Sequence, residues 1–156
     1  MDKQMRRKEK AISPEESLEV LRTAEYGVLS TVSADQTPYA TPMSFVLLND
    51  AIYFHCAKEG HRLENIAGNR NVCFNVVDSV KLMPANFNTQ YRSVTVSGTI
   101  RIVEEPQEKK QGICAIVDKL SPDHKEAGLA YIDKAFNNMH VLKLQVSKIS
   151  GKATRG

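Results

Sequence analysis

From Tyr91 to Val103 the side chains alternate strictly, with Val94, Val96, Ile100 and Ile102 set against Ser93, Thr95, Thr99 and Arg101. A two-residue period puts one set on each face of a β-strand, and a helix would scatter both sets around its circumference. One strand needs partners, and the rest of the chain supplies them. Gly27–Ser33 is rich in β-formers, Ala34-Asp35-Gln36 reads as a turn, and Pro38 and Pro42 keep Thr37–Leu48 extended rather than helical. After a turn at Asn49-Asp50, Ala51–Cys56 sets Ile52 and Phe54 against Tyr53 and His55. Val72–Val77 and Met139–Ile149, the latter with Leu142, Leu144 and Val146 on one side, complete a set of about six strands. Asp78–Gln90 shows no period and reads as irregular.

Helices punctuate this pattern. Ser13 is placed as an N-cap with Pro14 at the first helical position and Glu16 three residues after the cap, ahead of a face made by Leu18, Leu21 and Ala24. Gly60–Arg70 inserts a short helix between two strands, with Leu63, Ile66 and Ala67 on one face. Pro106–Leu120 and Asp123–Phe136 read as further helices, although Gly112 and Gly128 lie within them. The expectation is a mainly β chain with short helices, its antiparallel strands closing into a small barrel that leaves few exposed edges. Side chains fill a barrel of this size, so a ligand has to bind outside it, for instance between two subunits.

With 156 residues there is room for one domain, read as residues 12–156 behind a basic, disordered arm at 1–11. That arm matters for the charge. Its first ten residues hold five basic and two acidic side chains, which account for the whole net charge of +3. The body is balanced and offers no basic stripe for nucleic acid. No apolar run approaches the roughly 18 residues of a membrane span, and no apolar segment follows the basic start as in a secretory signal, so a cytoplasmic protein is expected. Cys56, Cys73 and Cys114 are odd in number and widely spaced, which fits small buried hydrophobes rather than a disulfide framework or a metal site.

The densest group of chemically able side chains is Tyr53-Phe54-His55-Cys56-Ala57-Lys58-Glu59-Gly60-His61-Arg62, where a strand ends, a glycine turns the chain and a helix begins. A helix N-terminus presents unpaired N–H groups and the positive end of its dipole. Cationic side chains beside it make a site suited to one phosphate. A solvated basic turn is the competing reading of the same residues. His124 and His140 have no such neighbours in the sequence and read as a loop and a strand-end histidine.

These residues give the chain a resemblance. Ile52–Leu63, with its Phe-His-x-Ala-x-x-Gly-His-Arg pattern, Tyr39–Phe45, and Tyr91-Arg92-Ser93-Val94 leading into Val96-Ser97-Gly98 resemble the FMN-binding split-barrel family that includes pyridoxamine-phosphate oxidases. The 5-nitroimidazole reductase (Nim-type) branch is the most similar. The resemblance implies a Greek-key split barrel and a homodimer with FMN at the subunit interface. The flavin ring edge would lie along Ala40, Thr41, Pro42, Met43, Ser44 and Phe45, largely against backbone, with Met43 and Phe45 open to either core or flavin contact. His55, Cys56, Ala57 and Lys58 would approach the ribityl-phosphate, and His61 and Arg62 would take the places of two phosphate-binding residues. Tyr91, Arg92, Ser93 and Val94 would contact the flavin from one or other subunit. His61 is also implied as the catalytic residue, able to donate a hydrogen bond, shuttle a proton or act as a nucleophile.

The chain departs from the pyridoxamine-phosphate oxidase branch. That branch uses an arginine- and tryptophan-containing C-terminal segment for its substrate, whereas this sequence has no tryptophan and ends shortly after its last strand. The expected activity is FMN-dependent reduction of small electrophilic acceptors, nitroimidazoles or other nitroaromatics among them. A flavin-storing or sensing module without turnover, a pyridoxamine-phosphate oxidase-like activity and a haem-related activity are the alternatives. No metal and no nicotinamide fingerprint is read from the sequence.

Overall fold

The computed structural model describes residues 3–156. Seven strands, β1 (Tyr26–Val32), β2 (Pro38–Ser44), β3 (Val46–Leu48), β4 (Ala51–Ala57), β5 (Asn71–Met83), β6 (Asn88–Ile102) and β7 (Met139–Thr154), form one antiparallel sheet. The helices are α1 (Pro14–Thr23), α2 (His61–Gly68), α3 (Pro106–Leu120) and α4 (Lys125–Ala135). The strand order is β2-β1-β5-β6-β7-β4-β3, so β4 lies beside β7 instead of beside β5, the long return of a Greek key. The sheet curls until β2 meets β4 across an open seam. The result is the expected split half-barrel with short helices.

Two cores explain the burial. Inside the barrel, Phe74 packs edge-on against Phe45 at 4.8 Å and Phe54 at 5.0 Å, surrounded by Leu29, Ile52, Val94, Val96, Leu142 and Leu144. Outside it, Tyr53, Val103 and Val141 meet Ile113, Ile116 and Ile132 of α3 and α4. Because neighbouring side chains of β4 point to opposite faces, Ala51 and Tyr53 enter the outer core while Ile52 and Phe54 enter the inner one, and all four are buried. Helix α1 starts as the sequence predicts, with the Glu16 N–H donating to Ser13 Oγ at 3.1 Å, and its Val20 and Leu21 are fully buried in the inner core.

Three expectations change. Asp78–Gln90 is an extension of the β5–β6 hairpin: β5 runs to Met83, a 3₁₀ turn spans Pro84–Asn86, and β6 begins at Asn88. A register shift between Asp78 and Lys81, with Ser79 and Phe87 at positive φ, breaks the alternation that would have revealed the strands. Strand β7, expected to end at Ile149, runs on to Thr154 for 16 residues in all. The segment read as a disordered arm is held at its inner end: Lys8–Lys10 form a 3₁₀ turn, Ala11 bridges to Lys152, and Lys10 Nζ donates to Thr154 Oγ1 at 2.9 Å. Met1 and Asp2 of that arm lie outside the described residues.

Gly98 sits where β6 passes the bulge of β7, and a Cβ there would stand 2.0 Å from the Gln145 carbonyl oxygen. Backbone cannot yield as a flexible side chain can. Gly98→Ala is therefore expected to cost about 1–3 kcal/mol in denaturant unfolding. Gly68→Ala, with nothing within 4 Å of the added carbon, should leave stability within about 1 kcal/mol of wild type.

Candidate functional site

Strand β4 delivers the chain to Gly60, which takes φ 140°, a backbone conformation open to glycine and not to other residues, and α2 begins at His61. No side chain caps this helix, so its first N–H groups are free to meet a ligand. Nothing lies within 4 Å of a Cβ built at Gly60. Arg62 folds across the barrel seam and donates to Thr41 Oγ1 on β2 from Nη2 at 2.8 Å and Nε at 3.2 Å. The guanidinium also bonds Cys56, opposing the burial that pushes that thiol's pKa up. His61 Nε2 lies 3.0 Å from Ser33 Oγ at the end of β1, and its ring sits 4.3 Å from that of Tyr39.

The donor set fits a phosphate. Uncapped helix N–H groups, a guanidinium and an imidazole meet at the start of α2, and β2 runs alongside as a terminal strand of the sheet order. One edge of β2 therefore has no strand partner among the described residues, leaving backbone donors and acceptors for a ring with polar edges. Pro38 and Pro42 on this strand obey the rule that proline within sheets belongs at an edge.

Comparison with known proteins identifies the family. The pyridoxamine 5'-phosphate oxidase profile matches residues 13–153, nearly the whole chain. The chain belongs to the pyridoxamine 5'-phosphate oxidase family. Among solved structures, a candidate 5-nitroimidazole antibiotic resistance protein from Bacteroides thetaiotaomicron superposes with a TM-score of 0.80 at 25% identity, covering 92% of this chain and 86% of that one. The flavocytochrome Anf3 from Azotobacter vinelandii gives 0.84 at 22%, covering 98% and 73%, and a FAD-binding protein from Mycobacterium smegmatis gives 0.61 at 24%, covering 93% and 99%. No curated protein matches the chain.

Within this family fold the sequence-predicted residues divide into separate neighbourhoods. Thr41, Cys56, His61 and Arg62 are brought together. Ala40, Pro42 and Ser44 share the exposed side of β2, whereas Met43 and Phe45 turn inward to the core, leaving only their backbone for a ligand. His55 faces the α3–α4 layer, on the opposite side of β4 from Cys56 and Arg62, and the partial burial of its imidazole there lowers its pKa. Ala57 ends β4 opposite Met139, and Lys58 stands near Lys109 and His140, where its charge opposes protonation of both.

Tyr91–Val94 lie in a different part of the chain's surface and core. Arg92 grips Asp78 through Nε at 2.9 Å and Nη2 at 2.7 Å and reaches Glu19 at 3.2 Å, so its guanidinium ties β6 to β5 and α1. Ser93 accepts a hydrogen bond from Asn75, Val94 is fully buried in the barrel, and Tyr91 pairs with Thr154. Sequence reasoning left Ser33 and His140 out of the site. Ser33 meets His61 across 28 residues of chain, and His140 stands directly opposite Cys56 in the β4–β7 register; neither has a local sequence signal.

Lys119, in the last turn of α3, reaches the break between β2 and β3. Its Nζ donates to the Phe45 carbonyl at 3.0 Å and lies 3.7 Å from the centre of the Phe45 ring. Burial lowers its pKa from 10.5 to about 8. A folded-state pKa below the unfolded value means that unfolding takes up a proton between those two values, so stability rises with pH across that window. Wild type is expected to gain stability between about pH 8 and 10.5 relative to Lys119→Met, measured as the difference between their denaturant-unfolding free energies at each pH.

Proposed function

We propose that this protein is an FMN-dependent oxidoreductase that reduces small electrophilic molecules, with nitroaromatics such as 5-nitroimidazoles as the preferred acceptor class. The observation that carries the reading is the uncapped start of α2, with His61 and Arg62 at its mouth and the unpaired edge of β2 beside it. Membership of the family and the likeness to the candidate nitroimidazole resistance protein support a flavin in that place. FMN is preferred over FAD because the donor set is that of a single terminal phosphate.

In this reading the α2 N–H groups and Arg62 hold the phosphate, and Thr41 orients the guanidinium through its hydroxyl. The β2 backbone from Ala40 to Phe45 meets the polar edge of the ring. The bound flavin carries the electrons between donor and acceptor. His61 holds or moves a proton at Nε2, the atom it shares with Ser33. The protein works as a cytoplasmic homodimer in which Tyr91, Ser93 and their neighbours close the site from the second copy, in keeping with their separation from α2 within one chain. Among the described residues no helix is long and apolar enough to cross a membrane.

The phosphate assignment has a sharp test. Arg62→Ala should weaken FMN by about 1–3 kcal/mol, the range of a charge-assisted hydrogen bond, and leave riboflavin affinity unchanged. An equal loss for both ligands, measured by flavin fluorescence quenching, would make Arg62 a structural residue and move the phosphate elsewhere.

The catalytic reading of His61 is tested at saturating FMN. His61→Gln and His61→Ala should retain bound flavin but reduce a nitroimidazole acceptor about 10²-fold or more slowly, the scale of a lost general acid. Reoxidation by the acceptor at the wild-type rate in both variants would leave His61 as a phosphate ligand. If no acceptor outpaces oxygen even in wild type, the protein stores or senses flavin instead.

A further inference from the structure

At Phe45 the chain changes partner. Ser44, the last residue of β2, is in register with Tyr26 of β1, whereas Val46, the first of β3, is in register with Tyr53 of β4. Because β2 and β3 stand at opposite ends of the sheet order, this one residue forms the corner that joins them. Phe45 is fully buried, its ring edge-on to Phe74, and it lies outside both strands. A buried carbonyl without a partner is costly. Here the partner comes from the helical layer: Lys119 Nζ donates to the Phe45 carbonyl at 3.0 Å and stands 3.7 Å from the centre of its ring, so one ammonium holds backbone and side chain together. No ion pair competes for it among the described residues, and the neighbouring Asp118 pairs with Lys125 instead. An apolar side chain could fill this place without desolvating a charge; what the ammonium adds is a directed hydrogen bond.

Strand β2 is thus held at two points by two helices. Arg62 of α2 binds Thr41 in its middle, and Lys119 of α3 binds the corner at its end. Between the two runs the free backbone edge assigned to the flavin ring. We propose that, with the ring along β2 as in the reading above, Lys119 is a positioning residue for it: by holding the Phe45 carbonyl it fixes where Pro42, Met43 and Ser44 present their backbone groups. Lys119 acts through the Phe45 peptide. Arg62 serves the phosphate and Lys119 the ring, so flavins that differ only in the phosphate tell the two roles apart.

The test titrates the full chain with riboflavin and with FMN, followed by quenching of flavin fluorescence. Lys119→Met keeps the bulk and removes the donor. It should weaken both flavins alike, by about three- to tenfold, and leave the ratio of their affinities at the wild-type value. Lys119→Arg retains a cationic donor and should bind both as wild type does. At saturation the visible absorption bands of the bound flavin should shift in Lys119→Met and not in Lys119→Arg. Ile132→Val, which loosens the outer core from α4, is the control for general destabilisation and should keep wild-type affinity and bands. Circular dichroism confirms that each variant is folded. The proposal is overturned if folded Lys119→Met binds riboflavin as wild type with unchanged bands, or if it weakens FMN alone. It is equally overturned if Lys119→Arg or Ile132→Val loses as much affinity as Lys119→Met, since the role would then be one of packing. A wild type that binds neither flavin is a different result, overturning the flavin reading and the role of Lys119 with it.

Discussion

The pairing of β4 with β7 decides which of the chain's reactive side chains can act together. Ala51–Ala57 runs antiparallel to Met139–Gln145, with inner and outer cores packed against its two faces. Burial on both faces makes a one-residue slip prohibitive, because it would move Ile52 and Phe54 out of the barrel and Tyr53 into it. With the register fixed, Cys56 points to the side of Arg62 with His140 opposite it on β7, and His55 faces the helices. The separation of the two imidazole-bearing surfaces follows from pleat geometry and from nothing specific to histidine.

The open seam is the second constraint. A sheet that closed fully would pair the free edge of β2 and leave nothing for a ring to meet. Here the seam is crossed by a side chain: Arg62 on α2 holds Thr41 on β2, and Asn65 on the same helix donates to Thr31 on β1 at 3.0 Å. Helix α2 is thereby fixed to two adjacent strands by polar contacts while Ile66 is buried in the inner core. The edge remains available and the helix start remains aimed at it. Preorganisation of this kind spares a ligand the cost of ordering its own binding groups.

Much of this was legible in the sequence, and what was not has one cause. Local signals were read correctly: the Ser13 cap, the alternation of β4 and β6, and the glycine that starts α2 all depend on residues close in the chain. The hairpin extension at Asp78–Gln90 was missed because a bulge and two positive-φ residues destroy the two-residue period on which strand recognition rests. Ser33 beside His61 and His140 opposite Cys56 are products of strand register, which spacing does not encode. Arg92 is a further case: three carboxylates from α1 and β5 converge on it, and only the fold brings them there.

Helix α3 links the parts that pleat geometry separates. Ile113, Ile116 and Val117 pack into the outer core, and two residues further on Lys119 holds the carbonyl of Phe45 at the break between β2 and β3. Over so short a span a helix is a rigid rod, so the packing of α3 against β4 fixes where the ammonium sits. The Phe45 carbonyl ends the strand whose free edge faces the α2 site, and its ring lies in the inner core against Phe74. Near neutral pH Lys119 carries its charge against the cost of burial, which its contacts with the Phe45 carbonyl and ring offset. This one side chain thus joins the helical layer to the β2–β3 break at the edge of the barrel.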